Sequence, residues 1–450
     1  MTAASCAVAR HAPLGSERGR RLQAGVRGRP RWAHWLRTRR APSGRGIRRT
    51  APLRESIGLT LSPGAPAEPL QGLLIDRVDA LEEYVEAWDD LAVTAARPYC
   101  APAWQLAWWR HVAPADAYLR VAVALDTGTL VGVAPFYAER LGSLWSYRLL
   151  AASICFGVEP LCKPGAERPA AEAFAAALAR VRPRVAVLTF KGVPVQSPWP
   201  TLLADSWPAR RPPRVTRGAS TIAPKLEIGC LTFESWLKVK SSNFRSGLAR
   251  DRRRLEEHGA RFGVTGLADL GQTLEALGRL HHERMAARGG FSVLDRSVEE
   301  MLCDAGQALV PSGRMRLFHI EVAGETISAH LFLTAGGEVA YWLGGFDHRW
   351  AARHPALATL LYAIEDAFER GDARIDLGGG AQRYKYRFAN GEAELFDWRL
   401  IPRGPSSLLT RIHLAPASVR SRLAHRIPSK LRTRIRRRRR ALRHLRTRRT

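Results

Sequence analysis

The sequence predicts an α/β fold of the α+β kind, with mixed sheets flanked by helices and built as two similar halves. Three observations carry this. Residues 119–135, Leu-Arg-Val-Ala-Val-Ala-Leu-Asp-Thr-Gly-Thr-Leu-Val-Gly-Val-Ala-Pro, read as two strands about a tight Asp-Thr-Gly turn. Residues 316–333 repeat that layout, with Arg120, Gly128 and Val131 each falling 196 positions before Arg316, Gly324 and Ile327, so an internal duplication with a period near 200 is expected. Residues 338–388 then read as strand, helix, strand and glycine-rich loop in quick order.

Taken from the start, the chain of 450 residues carries a net charge of +29, but the charge sits at its ends. Residues 1–54 hold fourteen Arg against Glu17 alone, and residues 404–450 hold fifteen Arg plus Lys430 with no acid, so residues 55–403 are neutral overall. Polyanion binding is therefore an accessory of the ends and not the chemistry of the body. Residues 1–70 are expected to be a basic disordered leader, with an organellar transit segment as the alternative reading of its Arg-rich start. In the Arg-rich tail, Leu423, Ile427, Leu431, Ile435, Leu442 and Leu445 recur at helical spacing, which suits an anionic membrane surface or nucleic acid, although Pro428 opposes one continuous helix.

The whole sequence is 46% apolar, enough to fill real cores. Helical pattern over Leu81–Leu91 and Trp104–His111 precedes the first hairpin, and over Phe233–His258 and Leu270–Arg288 precedes the second. Between the halves, Ser197-Pro-Trp-Pro and residues 210–220 read as linker or long loop, and the boundary is placed near residue 225. This gives an N-terminal domain at 71–225 and a C-terminal domain at 226–403. The six cysteines form no CxxC pair, and His281, His282 and Glu283 complete no ligand spacing, so reduced thiols, a cytoplasmic location and no metal are expected. No apolar run approaches the ~18 residues of a spanning helix.

The chemistry is expected in the last unit. Residues 339–346 form a strand ending in Gly344, Gly345, Phe346 and Asp347, and His354-Pro355 opens a helix that runs to Arg370 and stops at Gly371. A helix start at a strand end leaves N–H groups free for a phosphate, such as the pyrophosphate of coenzyme A. Gly344, Gly345, His354, Ala356 and Leu357 are the candidates for that site. The strand from Arg374 then leads into three glycines and the cluster Arg383, Tyr384, Lys385 and Arg387.

The set Trp104…Trp108, Gly132-Val-Ala-Pro-Phe-Tyr137, Asn243-Phe-Arg…Leu248…Asp251-Arg-Arg-Arg-Leu255 and Asp376-Leu-Gly-Gly-Gly…Tyr384-Lys385-Tyr-Arg-Phe388 resembles the CelD/BcsL-type acetyltransferases of the GNAT superfamily, themselves similar to the Fem peptidoglycan aminoacyltransferases. The resemblance spans residues 71–400. It implies tandem acetyltransferase folds, acetyl-CoA or another acyl-CoA as donor, and an amine or hydroxyl acceptor, a small molecule or a saccharide such as an envelope or exopolysaccharide precursor. The chain departs from the family at Pro355-Ala356, where a Pro-Gly pair is usual, and its pyrophosphate signature is not recognisable between Arg349 and Leu360.

Direct transfer needs a base, donors for the carbonyl oxygen and an acid for the leaving thiolate. Asp347 is the candidate base, or else a turn cap; His330 is a second base candidate, or else a core histidine. Tyr384 and Lys385 are candidates to protonate the leaving group and steady negative charge. Tyr341, Arg383, Arg387 and Arg245 are candidates on the acceptor side. Two rival readings remain: a Fem-like transferase using charged tRNA, and a non-catalytic scaffold at a membrane or nucleic acid. The basic ends would then place the protein at the inner membrane surface. No obligate protein partner is inferred.

Overall fold

The computed structural model describes residues 69–414, apart from 230, 288, 291, 405, 406 and 412. The basic leader before residue 69 and the apolar pattern from Leu423 to Leu445 lie outside the described residues.

The first half comprises β1 (Gln71–Ile75), α1 (Val85–Thr94), α2 (Pro102–His111), β2 (Tyr118–Asp126), β3 (Thr129–Leu141), β4 (Leu144–Leu149), the short β5 (Leu161–Cys162), α3 (Glu167–Arg180), β6 (Val187–Pro194), α4 (Trp199–Asp205) and β7 (Arg214–Glu227). The second comprises α5 (Phe233–Lys238), α6 (Ser242–Glu256), β8 (Arg261–Val264), α7 (Leu270–Ala287), α8 (Arg296–Leu309), β9 (Met315–Val322), β10 (Glu325–Ala335), β11 (Glu338–Phe346), α9 (Pro355–Arg370), β12 (Arg374–Asp376), α10 (Arg383–Phe388) and β13 (Gly391–Ile401).

Both expected hairpins form, and for the same local reason. Thr127 and Gly128 in one, Ala323 and Gly324 in the other, all take positive φ, the geometry a two-residue turn needs to match strand twist. The expected 233–258 helix is instead two helices. Ser241 accepts a hydrogen bond from Phe244 N and starts α6 afresh. The expected linker is also corrected: Trp199–Asp205 is helical and residues 214–227 are one 14-residue strand.

One continuous sheet runs β1-β2-β3-β4-β6-β13-β7-β12-β11-β10-β9-β8. Outward from its centre, each half shows the same pattern. In the first, β1 to β4 are antiparallel, β4 pairs parallel with β6, and β6 pairs antiparallel with β13. In the second, β8 to β11 are antiparallel, β11 pairs parallel with β12, and β12 pairs antiparallel with β7. The halves have exchanged their last strands, and β7 and β13 pair with each other at the centre.

The largest core cluster crosses the divide. Trp88, Trp104 and Trp108 of the first half pack with Leu277, Met301 and Leu302 of the second, and Arg110 of α2 pairs with Asp304 of α8. A second cluster, Phe244, Phe332, Leu361 and Phe388, lies under α6 and α9. Among the described residues no helix is long and apolar enough to cross a membrane.

Candidate active site

β11 and β12 are paired only at Glu338–Ala340 and Arg374–Asp376. Beyond Ala340, β11 runs on to Phe346 paired with β10 alone, while the chain after Asp376 turns away through Gly378 at φ +76° and Gly380 at φ +105°. Only glycine takes these values readily. A register shift between Leu331 and Phe332 of β10 leaves Trp342 of β11 as an extra residue. The parting of two parallel neighbours opens a cavity of about 160 Å³ whose other wall comes from the first half: Arg97 to Tyr99 and Ile154 to Gly157. Trp342 Nε1 donates to the Ile154 carbonyl at 3.1 Å, and the Phe156 ring lies against Gly379, fixing that wall.

Charge in the cleft is densely paired. Arg97 holds Glu159 at 2.5 Å; Arg374 holds Glu338 at 2.5 Å; Lys225 reaches Glu338 at 3.3 Å and Asp376 at 3.5 Å. Lys385 is buried and donates to the carbonyls of Gly378 at 2.8 Å and Gly379 at 3.1 Å. Burial pushes its ammonium down to about 8; Asp376 opposes the shift and Arg284 adds to it. A side chain at Gly378 would start 3.8 Å from both Lys385 Nζ and the Tyr341 ring, so these two groups converge on the open face of the glycine. Burial raises the Tyr341 hydroxyl, with Tyr384 adding and Arg284 opposing through its charge and a hydrogen bond, so it stays protonated.

His330 packs over Gly344, where a Cβ would fall 2.1 Å from the imidazole, and its ring centroid lies 5.3 Å from that of Tyr341. Both ring nitrogens are buried without a partner, and burial lowers the ring to about 3, with Arg284 adding to the shift. It is a neutral imidazole.

The other expected residues lie elsewhere. Asp347 caps the short helix His348–Arg353 and accepts from Arg349 N at 2.8 Å and Arg349 Nε at 2.7 Å, outside the cleft. Burial would raise its carboxyl, but these bonds outweigh burial and hold it low. Gly345 lies under α7, a Cβ there falling 2.6 Å from His281 N, so it serves close helix packing. His354, Ala356 and Leu357 do form the start of α9 beyond the end of β11. His354 is left-handed at φ +49° and its Nδ1 lies 2.9 Å from Asp251 Oδ2. Tyr384 packs at the edge of the second core cluster. Arg383 is exposed, Arg387 stacks on Phe244 at 4.3 Å, and Arg245 donates to the Lys238 carbonyl at 2.9 Å, so none of the three arginines lines the cleft.

Sequence reasoning missed Arg284, Lys225, Glu338 and the whole wall from the first half. Asp376 stood in the glycine motif and could have been picked out. Arg284 is one of many arginines in a helical pattern, and no spacing marks it.

Residues 242–386, from α6 to α10, match the family model for the acetyltransferase (GNAT) domain. The chain carries a GNAT acetyltransferase domain and is an acyltransferase. That segment encloses β11, α9, β12, Lys385 and Tyr341, and the repeated strand order makes the whole a tandem of two such folds. Among solved structures, FemX is similar at 13% identity and TM-score 0.52, covering 72% of this chain and 98% of that one. L-PGS from Bacillus licheniformis is similar at 13% identity and TM-score 0.46, covering 76% and 97%. The C-terminal domain of a putative lysylphosphatidylglycerol synthetase from Agrobacterium fabrum is similar at 11% and 0.46, covering 74% and 96%. At 13% identity the likeness to FemX is one of fold. No curated protein matches the sequence.

Proposed function

We propose that the GNAT domain moves an acyl group from acyl-CoA to an amine or hydroxyl acceptor in the gap between β11 and β12. The observation that carries this is the convergence of Lys385 and Tyr341 on the open face of Gly378, within the cavity. A neutral lysine has two N–H bonds, and the carbonyls of Gly378 and Gly379 match both. Its lone pair is then free to take the proton of the attacking group. Lys385 then passes that proton to the leaving thiolate, to which Tyr341, kept protonated, donates a hydrogen bond. The new bond joins the acceptor nitrogen or oxygen to the acyl carbon as the carbon–sulfur bond breaks. The start of α9, with backbone N–H groups and the positive end of a 16-residue helix, suits the donor's pyrophosphate. Asp347, paired with Arg349, serves the fold and not proton transfer.

Thermal melting of the full chain with and without acetyl-CoA tests the donor, because a ligand that binds only the native state raises the midpoint. A saturable rise, absent with adenosine, is the expected result. No rise at millimolar acetyl-CoA would overturn the acyl-CoA reading and favour the Fem-like aminoacyl transferase.

A further inference from the structure

Arg284, near the end of α7, lays its guanidinium against β11 beside Tyr341, a residue that lines the cavity. Its Nη1 donates to the Gly344 carbonyl at 2.8 Å, while its Nε is buried without a partner. Arg284 forms no ion pair among the described residues, in a site where Arg97, Lys225 and Arg374 are each matched to a carboxylate. A buried N–H left unmatched beside a charge left unpaired is costly unless something supplied from outside completes it. His330, nine-tenths buried with both ring nitrogens unpartnered, lies on the same Gly344. Arg284 and His330 thus both lie against Gly344 and Tyr341, one permanent cation and one neutral imidazole with no carboxylate paired to either.

We propose that the substrate carries a carboxylate next to the reacting centre, and that Arg284 binds it. Resting on the acyltransferase reading, the inference deepens it by naming a substrate class. With Nη1 tied to Gly344 and the guanidinium also hydrogen-bonded to Tyr341, the buried Nε–H is the donor left for a carboxylate. The donor's own phosphates do not reach this point. The pantetheine arm separates them from the acyl carbon, and that carbon must lie between Tyr341 and Lys385. The carboxylate is therefore on the acyl group or on the acceptor.

Calorimetry with the full chain separates the two sources, using wild type, Arg284→Met and Arg284→Lys. In the donor arm, succinyl-CoA is compared with acetyl-CoA. In the acceptor arm, protein saturated with CoA is titrated with sodium malonate and, as a control, inorganic phosphate. Binding of succinyl-CoA about tenfold tighter than acetyl-CoA, lost in Arg284→Met, places the carboxylate on the acyl group. A malonate affinity at least tenfold above that for phosphate, lost in Arg284→Met and weakened in Arg284→Lys, places it on the acceptor. The proposal is overturned if neither carboxylate ligand distinguishes wild type from either variant. In that event unchanged acetyl-CoA binding would leave the acyltransferase reading standing, whereas loss of acetyl-CoA binding by the wild type would remove that reading separately.

Discussion

At the scale of single residues, the cleft works by holding groups in protonation states they would not keep in water. Lys385 is the main case. With its ammonium pushed to about 8, activity that uses the neutral amine rises with pH and levels off above that value. A pH profile of kcat/KM should show this limb, and Lys385→Ala should lower turnover about a hundredfold without moving the melting temperature by more than a few degrees. A near-normal rate in that variant would remove Lys385 from the reaction. The buried histidines act on stability instead. His330 is lowered to about 3 and His281 to about 4, both chiefly by burial. Between pH 6.5 and 4 the unfolded chain binds protons that the folded chain does not, so stability falls as the pH falls, by about 1.4 kcal/mol per pH unit for each histidine. Urea melts at pH 7.0, 6.0 and 5.0 should show this slope, and a slope unchanged in His330→Phe would assign the effect elsewhere. His330 was legible as a core histidine or a base. That its nitrogens are orphaned depends on Gly344 lying beneath it, which pairs residues 14 positions apart and leaves no local signal.

At the scale of elements, the site exists because β11 outlasts its partner. β12 has only three paired residues, and the glycine loop after it carries the chain off the sheet. This strand–helix–strand unit was legible almost to its ends, since Pro355 starts α9 and Gly371, at φ +71°, stops it. β7 was not legible. Its clustered arginines and Pro224 argue against a central strand, yet both of its edges are paired. The exception is tolerated because the Pro224 carbonyl still accepts from Leu377 N at 3.0 Å and much of the strand's surface stays exposed. The loop from the first half was illegible for another reason, since its role appears only in contact. Phe156, 38% exposed, covers Gly379 and Gly192 and closes the cleft. Phe156→Ala should therefore raise the donor or acceptor KM several-fold while costing less than about 1.5 kcal/mol of stability. A change in stability without any change in KM would make Phe156 a packing residue alone.

At the scale of the whole molecule, the two halves are copies in topology and yet not separable bodies. The hairpins 196 residues apart made the duplication visible in the sequence, but strand exchange has no sequence signature, because β13 follows β12 with the same composition whichever neighbour it joins. The consequence is energetic. A fragment ending at Glu227 keeps β1 to β6 but exposes the edge of β6 that β13 covers, from Leu188 to Pro194. A fragment starting at Ile228 leaves β12 without β7 and β13 without either partner. Each would also expose its share of the core in which Trp104 and Trp108 meet α8. Unpaired strand edges and exposed apolar surface favour aggregation over folding. Neither 69–227 nor 228–403 alone should therefore show a cooperative thermal transition, whereas co-expression of the two should restore one transition and acetyl-CoA binding together. A cooperative melt from the isolated C-terminal fragment would show instead that the second fold closes its own sheet, with β13 replacing β7 beside β12.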